Sequence, residues 1–413
     1  MKTTQNKTQR GMHYAIVIAA CCCMMMGVNV GLVMSCAGIF YQPVSQALGV
    51  SVGSFGVYMS LSFITSSLML SVAGKMMERY SARRILTINS AICGICLASM
   101  GLFNELWQFY TAGALIGATL AFLLYLSFPT LINRWFNTRV GLLIGICSAA
   151  SGIGGVIFNP IGGAIITAYG WRAAYIVFGA IILLIVTPLL GILLRDYPSD
   201  KGLQPYGAVC KSGNDKATPA DNRQSIDYAS ATRMPVFYAM ILFAFLMMAA
   251  STLNLFIPKY VTLAGHSIEQ SALAASAIMA GVTIGKLVLG YINDRSCALG
   301  SVLTTASGIA GLLLLIADDN HMAVILTGSF LFGWAYAGVT VQTAMLVRTI
   351  FGSAHYARIY SVISIALAAG GAIASGGWGF LAESTSYSCI FYTGIGMLSL
   401  SAILALLSLR KTH

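Results

Sequence analysis

Charge is what this sequence has least of. Only 8% of its 413 residues are Asp, Glu, Lys or Arg, where a soluble globular protein carries about 25%. So few charges cannot cover a water-facing surface, which excludes a soluble enzyme, a nucleic-acid-binding protein and a disordered chain. Acids are the scarcer sign, 12 against 23 Lys and Arg, and none sits well inside an apolar run. The five histidines, His13, His266, His321, His355 and His413, are scattered over termini and loops. No cluster has metal-ligand spacing, and neither H-E-x-x-H, G-x-S-x-G nor a phosphate-cradling loop occurs. No metal, cofactor or catalytic residue is therefore expected, and the chain does not read as an enzyme. Cysteine is not scarce, but Cys21, Cys22, Cys23, Cys93, Cys96 and Cys147 lie in apolar runs. There the thiols act as small hydrophobes, the Cys93-x-x-Cys96 pair included.

Apolar side chains make up 58% of the chain, and its mean hydropathy is +0.82. At about 20 apolar residues per crossing, this supplies roughly a dozen membrane helices. Apolar windows place them near 13–35, 53–74, 85–102, 107–132, 140–167, 172–194, 234–257, 269–292, 299–317, 322–346, 357–381 and 388–409. Lys2, Lys7 and Arg10 precede the first run without a cleavage pattern, so that helix is expected to remain as a signal anchor. With the first end inside, every Lys and Arg except Arg172, Lys259 and Lys286 falls on the inner side. The formal charge of +11 is then a positive-inside signal with some attraction to anionic lipid. The expectation is a multi-pass protein of the plasma (inner) membrane, monomeric, with both termini cytoplasmic. Trp107, Trp135 and Trp171 at span ends read as an interfacial belt.

Residues 195–233 are polar and carry three of the prolines. They divide the chain into a six-helix half at 1–194, a mobile cytoplasmic loop at 195–233 and a second half at 234–413. The halves repeat. Gly74-Lys75-Met76-Met77-Glu78-Arg79 follows the second helix, Gly290-Tyr291-Ile292-Asn293-Asp294-Arg295 follows the eighth, and Gly155 and Gly371 stand at the same offset of 216 residues. This Gly-x-x-x-acid-Arg loop resembles the signature of the major facilitator superfamily. The likeness implies an all-α membrane protein of twelve helices in two pseudo-symmetric six-helix bundles. Arg134-Trp135-Phe136, Arg139, Gly141, Gly145, Gly152, Gly155, Pro160, Tyr169-Gly170-Trp171-Arg172, Ile39-Phe40-Tyr41 and Ile350-Phe351-Gly352 are similar to the monocarboxylate transporters and oxalate:formate antiporters.

Lys286 is the only charge well inside a span, and an intramembrane charge is a functional candidate by default. It lies about 12 Å from the cytoplasmic loop, too far for its stem to bring the ammonium comfortably to the interface. In the resembling families a base four residues before this loop's glycine binds substrate carboxylate, and Lys286 has that spacing to Gly290. The chain departs from the animal monocarboxylate type at Val282, where that type has aspartate, and at Ser35, where it has lysine. The oxalate exchangers' second base in helix eleven has no counterpart beyond Arg358 at its start. One central charge suits a small organic monoanion, with a proton or counter-anion as co-substrate. An unrelated small solute or drug efflux is the alternative. Asn29, Tyr125, Asn254, Trp334, Tyr336, Tyr360 and Ser364 are candidates to complete the pocket. The resemblance implies a cytoplasmic gate in which the loops of Gly74, Glu78, Arg79 and of Gly290, Asp294, Arg295 meet the opposite half, Glu78 facing Arg358 and Asp294 facing Arg139. The glycine run from Gly152 to Gly163 reads as a close-packing face.

Overall fold

A computed structural model of the protein describes residues 13–138, 140–207, 228–317, 320–352 and 356–410. Among these, the backbone is almost entirely helical, and ten helical runs are long and apolar enough to cross a membrane. The first half comprises α1 (Tyr14–Leu48), α2 (Val52–Arg79), α3 (Ala82–Met100) and α4 (Leu106–Trp135). Next come α5 (140–169) and α6 (171–193), one run interrupted at Gly170. Gly170 has φ 84°, a conformation that costs glycine nothing and other residues a clash; here it turns the chain back. In the second half are α7 (Pro235–Leu255), α8 (Ile268–Arg295), α9 (Cys297–Ala317), α10 (Met322–Phe351), α11 (Tyr356–Ser384) and α12 (Tyr387–Arg410). The twelve expected helices are all present; α3 is shorter and more polar than the rest, and α5 and α6 merge by apolarity alone.

Helix starts follow side-chain chemistry. Ser51 accepts from the Ser54 amide at the head of α2, and Ser267 accepts from Gln270 at the head of α8. Such caps satisfy amides that the helix itself leaves without acceptors. The two serines are 216 residues apart, and α2 and α8 are each 28 residues long. The same offset relates the starts of α4 and α10, their ends at Trp135 and Phe351, and the starts of α5 and α11. It extends to packing. A Cβ on Gly117 would collide with the Ser62 carbonyl, and one on its counterpart Gly333 with the Ile278 carbonyl, the counterpart of Ser62. The two halves therefore repeat both boundaries and helix crossings.

The bundles meet along two seams, α2 against α11 and α5 against α8. One end of the molecule carries Lys75, Arg79, Arg83, Arg84, Arg134, Arg195, Arg295 and Arg348 and is called the basic end. The opposite end is tightly closed. An added Cβ on Gly53 would lie 2.7 Å from the Phe380 nitrogen, one on Gly56 2.5 Å from the Ser375 oxygen and one on Gly163 2.6 Å from Ala272 Cβ. Ser60 and Ser375 hydroxyls meet at 2.8 Å across the seam. Glu383, at the end of α11, accepts from the amides of Val52 at 2.6 Å and Gly53 at 3.4 Å. A carboxylate there meets the positive end of the α2 dipole. Burial holds the nearby Lys259 ammonium below its usual pKa, and the charge of Glu383 offsets part of that effect. Towards the basic end, Cβ atoms on Gly74, Gly145 and Gly290 would touch nothing within 4 Å.

Inside the first bundle, Asn29 donates to Ser90 at 2.9 Å, and the Ser90 and Thr187 hydroxyls lie 3.0 Å apart. This chain, in which Asn29 and Ser90 are fully buried, ties α1, α3 and α6. The glycine face of α5 packs two ways, with Gly154 against Gly27 and Gly155 against Ser35 and Met279. Three expectations need correction. Trp135 and Trp171 are not belt residues: both are buried, and Trp135 donates to the Arg195 carbonyl at 3.1 Å. Trp107 alone of the three is exposed. Residues 195–207 are not a loose linker: Tyr206 pairs with Trp135 and Asn137 through backbone hydrogen bonds of 2.8 and 2.9 Å, and Tyr197 lies under Arg134. These aromatics give the segment apolar surface to dock, which its charge count concealed. Residues 208–227 lie outside the described residues, as do Arg139 and the side chains of Glu78, Asp294 and Arg358.

Two outcomes follow from these contacts. Asn29→Ala removes a buried donor and leaves Ser90 with Thr187 alone, so thermal unfolding in detergent should show a loss of about 1–3 kcal/mol with substrate affinity unchanged. Glu383→Gln weakens an exposed charged contact of about 0.3–1 kcal/mol. Thiol labelling of a single cysteine placed in the seam at that end should rise about two- to five-fold.

Candidate functional site

Lys286 stands 18 residues into α8, about 27 Å from its start and about 14 Å from its basic end. Its ammonium does not run to that end. It crosses the seam and donates to the Ser148 carbonyl at 3.1 Å and the Ser148 hydroxyl at 3.4 Å. Ser148 is itself about 12 Å into α5. The helices come close enough because Gly152 faces Thr283 and Gly155 faces Met279, one and two turns further along. The lysine's hydrogen-bond partners among the described residues are thus two neutral oxygens. A carboxylate at about 4 Å would gain roughly 4 kcal/mol from the ammonium at an effective dielectric near 20. A second donor, on α10, packs on the residue that precedes the lysine. Trp334 packs on Gly285, with its Cα and Cγ 3.3 and 3.5 Å from where a Cβ would sit, and its buried indole N–H has no partner among the described residues.

The phenols of Tyr125, Tyr336 and Tyr360 are close enough to interact electrostatically, with Ser66 beside Tyr125. Tyr125 lies in a widened, π-type turn of α4, and Asn29 lies in another in α1. Such turns shift the helical phase and often mark functional positions. Ser364 donates to the Tyr360 carbonyl one turn away at 2.8 Å. By the 216-residue offset Ser364 corresponds to Ser148, and Lys286 to Leu70. The charge is therefore where the second half departs from the first.

A small central cavity opens between α1, α2, α7 and α10, lined by Met34, Met59, Phe63, Met248, Ser251, Thr252, Asn254, Leu255 and Tyr336. Lys286 is not part of that lining. By the repeat, Phe63 stands level with Met279, so the lysine's Cα is seven residues, about 10 Å, nearer the basic end. Of the pocket candidates, Asn254 and Tyr336 line the cavity, Tyr125 and Tyr360 adjoin Tyr336, and Trp334 lies beside the lysine's turn. Asn29 is directed into the first bundle, to Ser90. Arg79 and Arg295 stack on Tyr80 and Tyr291, with guanidinium carbons 5.7 and 4.3 Å from the ring centres. Sequence reasoning missed Ser148 and the thioether and hydroxyl lining. Met and Ser in apolar runs look alike whether they face a cavity or lipid, but the offset from Ser364 would have pointed to Ser148.

The model of the Major Facilitator Superfamily matches residues 17–324. The uncharacterized MFS-type transporter YhjX of Escherichia coli K12 is 28% identical over 346 residues, covering 79% of this chain and 77% of that protein. Human monocarboxylate transporter 12 is 26% identical over 227 residues, covering 49% of this chain and 43% of that protein. A bacterial homologue of the human lysosomal transporter Spinster, crystallised in an inward-facing and occupied conformation, shares the fold with a TM-score of 0.75. That likeness spans 98% of both chains at 14% identity. With the family model covering most of its length and the repeat visible in its helix boundaries, the chain belongs to the Major Facilitator Superfamily, a family of membrane transporters.

Proposed function

We propose that the protein is a secondary transporter that moves a small organic anion by alternating access, with Lys286 pairing the substrate carboxylate. The substrate is a monocarboxylate such as lactate, pyruvate or formate, or one partner of an oxalate-type exchange. The observation that carries this reading is the Lys286 ammonium at the seam, held by Ser148 oxygens that an incoming carboxylate outcompetes. The orphan indole N–H of Trp334 supports it as a neutral second donor. The likeness to monocarboxylate transporter 12 supports the same class. A single charge favours a monoanion over a dianion. In this reading the basic end is cytoplasmic in the plasma (inner) membrane, and the opposite end, where Glu383 clasps α2, is the closed outer mouth. The charged loops around Glu78 and Asp294 form the other gate.

Counterflow of labelled lactate, formate or oxalate in proteoliposomes tests the assignment. Lys286→Gln should abolish anion binding and transport in a stably inserted protein. Lys286→Arg should retain part of the activity with altered selectivity, because a planar guanidinium presents its donors differently. Wild-type transport by Lys286→Gln would overturn the reading.

Coupling leads to a second outcome. The described acids Glu105, Glu269 and Glu383 lie at the closed end and Asp196 and Asp200 at the basic end, leaving the mid-membrane region to Lys286. Transport should therefore be exchange, or flux whose pH dependence follows the protonation of the substrate itself. A pH profile that keeps one midpoint for substrates of different acidity, and flattens when one acid is replaced, would contradict it.

A further inference from the structure

The cavity and the lysine present different chemistry. No side chain lining the cavity carries a formal charge, so it is not where a carboxylate is recognised. Its walls at Met34, Met59, Phe63, Met248 and Leu255 are apolar. Two of its four polar side chains, Ser251 and Thr252, are spent, while Tyr336 and Asn254 are open. The Ser251 hydroxyl donates to the Met248 carbonyl at 2.8 Å. Thr252 donates to Ala249 at 2.7 Å and accepts from the Trp378 indole at 3.1 Å. Asn254 differs. It is 8% exposed, it lines the cavity, and its carboxamide has no hydrogen-bonding partner among the described residues. The carboxamide opens on the cavity, so it is available to whatever occupies that space. It offers both donors and an acceptor, so the group that satisfies it best also donates and accepts. A hydroxyl does both, a ketone only accepts, and a methylene does neither.

We infer that Asn254 is a specificity residue that recognises a hydroxyl on the substrate, so that the site prefers short hydroxylated carboxylates to their oxo and unsubstituted analogues. This rests on the carboxylate reading of Lys286 for the other end of the ligand. The lysine crosses the seam now, and its flexible stem spans much of the roughly 10 Å that separates its Cα from the cavity level. Sites built to hydrogen-bond a hydroxyl reject analogues that lack it far more strongly than apolar pockets reject a missing methylene.

The test is binding to purified protein, read by tryptophan fluorescence, for two series: lactate, pyruvate and propionate, and 3-hydroxybutyrate, acetoacetate and butyrate. In at least one series the hydroxy acid should bind tenfold or more tighter than both analogues. Asn254→Leu, similar in volume, should erase that preference by weakening the hydroxy acid while leaving the unsubstituted acid within about twofold. Equal affinities within both series, or an Asn254→Leu protein that loses all members equally, would overturn the inference. Propane-1,2-diol separates the two readings. If it binds through Asn254 while no carboxylate binds, the hydroxyl site stands and the anion reading falls; if nothing in the panel binds, both fall.

Discussion

An ammonium placed deep in an apolar protein must find compensation, and that constraint organises the seam of this molecule. No carboxylate among the described residues stands at its level, and the side chain reaches Ser148 on the facing bundle instead. Backbone and hydroxyl oxygens offer dipoles, not charge, so the lysine is held less firmly than an ion pair would hold it. A state stabilised in this way is easily changed by an anion. Because the contact also joins α8 to α5, whatever displaces it acts on the same surfaces that slide during alternating access. Binding and conformational bias are thus linked through one side chain.

The duplicated architecture explains why one charge can have this effect. The halves repeat their caps, helix lengths and glycine crossings at a single offset, which makes the two seams near copies. A symmetric pair of seams has no preferred ligand orientation. Lys286 opposite Leu70 breaks the equivalence at mid-depth, and Glu383 opposite Thr167 breaks it at the closed end. In the proposed reading one asymmetry faces the ligand; the other holds a mouth shut. Between them lies a cavity whose walls are largely apolar and whose open polar groups are an amide and a phenol.

Much of this was legible beforehand. Twelve helices followed from apolar run length, and the repeat from the loop of Gly74 and its copy at Gly290. Lys286 stood out because charge is so rare in the spans. The rest was hidden for physical reasons. Trp135 and Trp171 resembled interface anchors, since sequence does not distinguish a ring at the lipid boundary from one buried at a span end. Asn29 resembled a pocket residue because an isolated polar group in a span signals a partner without saying which, and that partner is Ser90. Met34, Met59 and Met248 gave no signal, as a thioether suits lipid, core and cavity alike. Segment 195–207 was read by its charges when its tyrosines decided the outcome.

The central claim is that Lys286 confers selectivity for charge, and it is tested most directly by the affinity ratio of a carboxylate to its neutral amide, lactate against lactamide. At an effective dielectric near 20 the ammonium should favour the anion by about two to three orders of magnitude. The account predicts that ratio in the wild-type protein and a ratio near one in Lys286→Gln. Equal binding of lactate and lactamide by the wild type, or a ratio unchanged by Lys286→Gln, would contradict it.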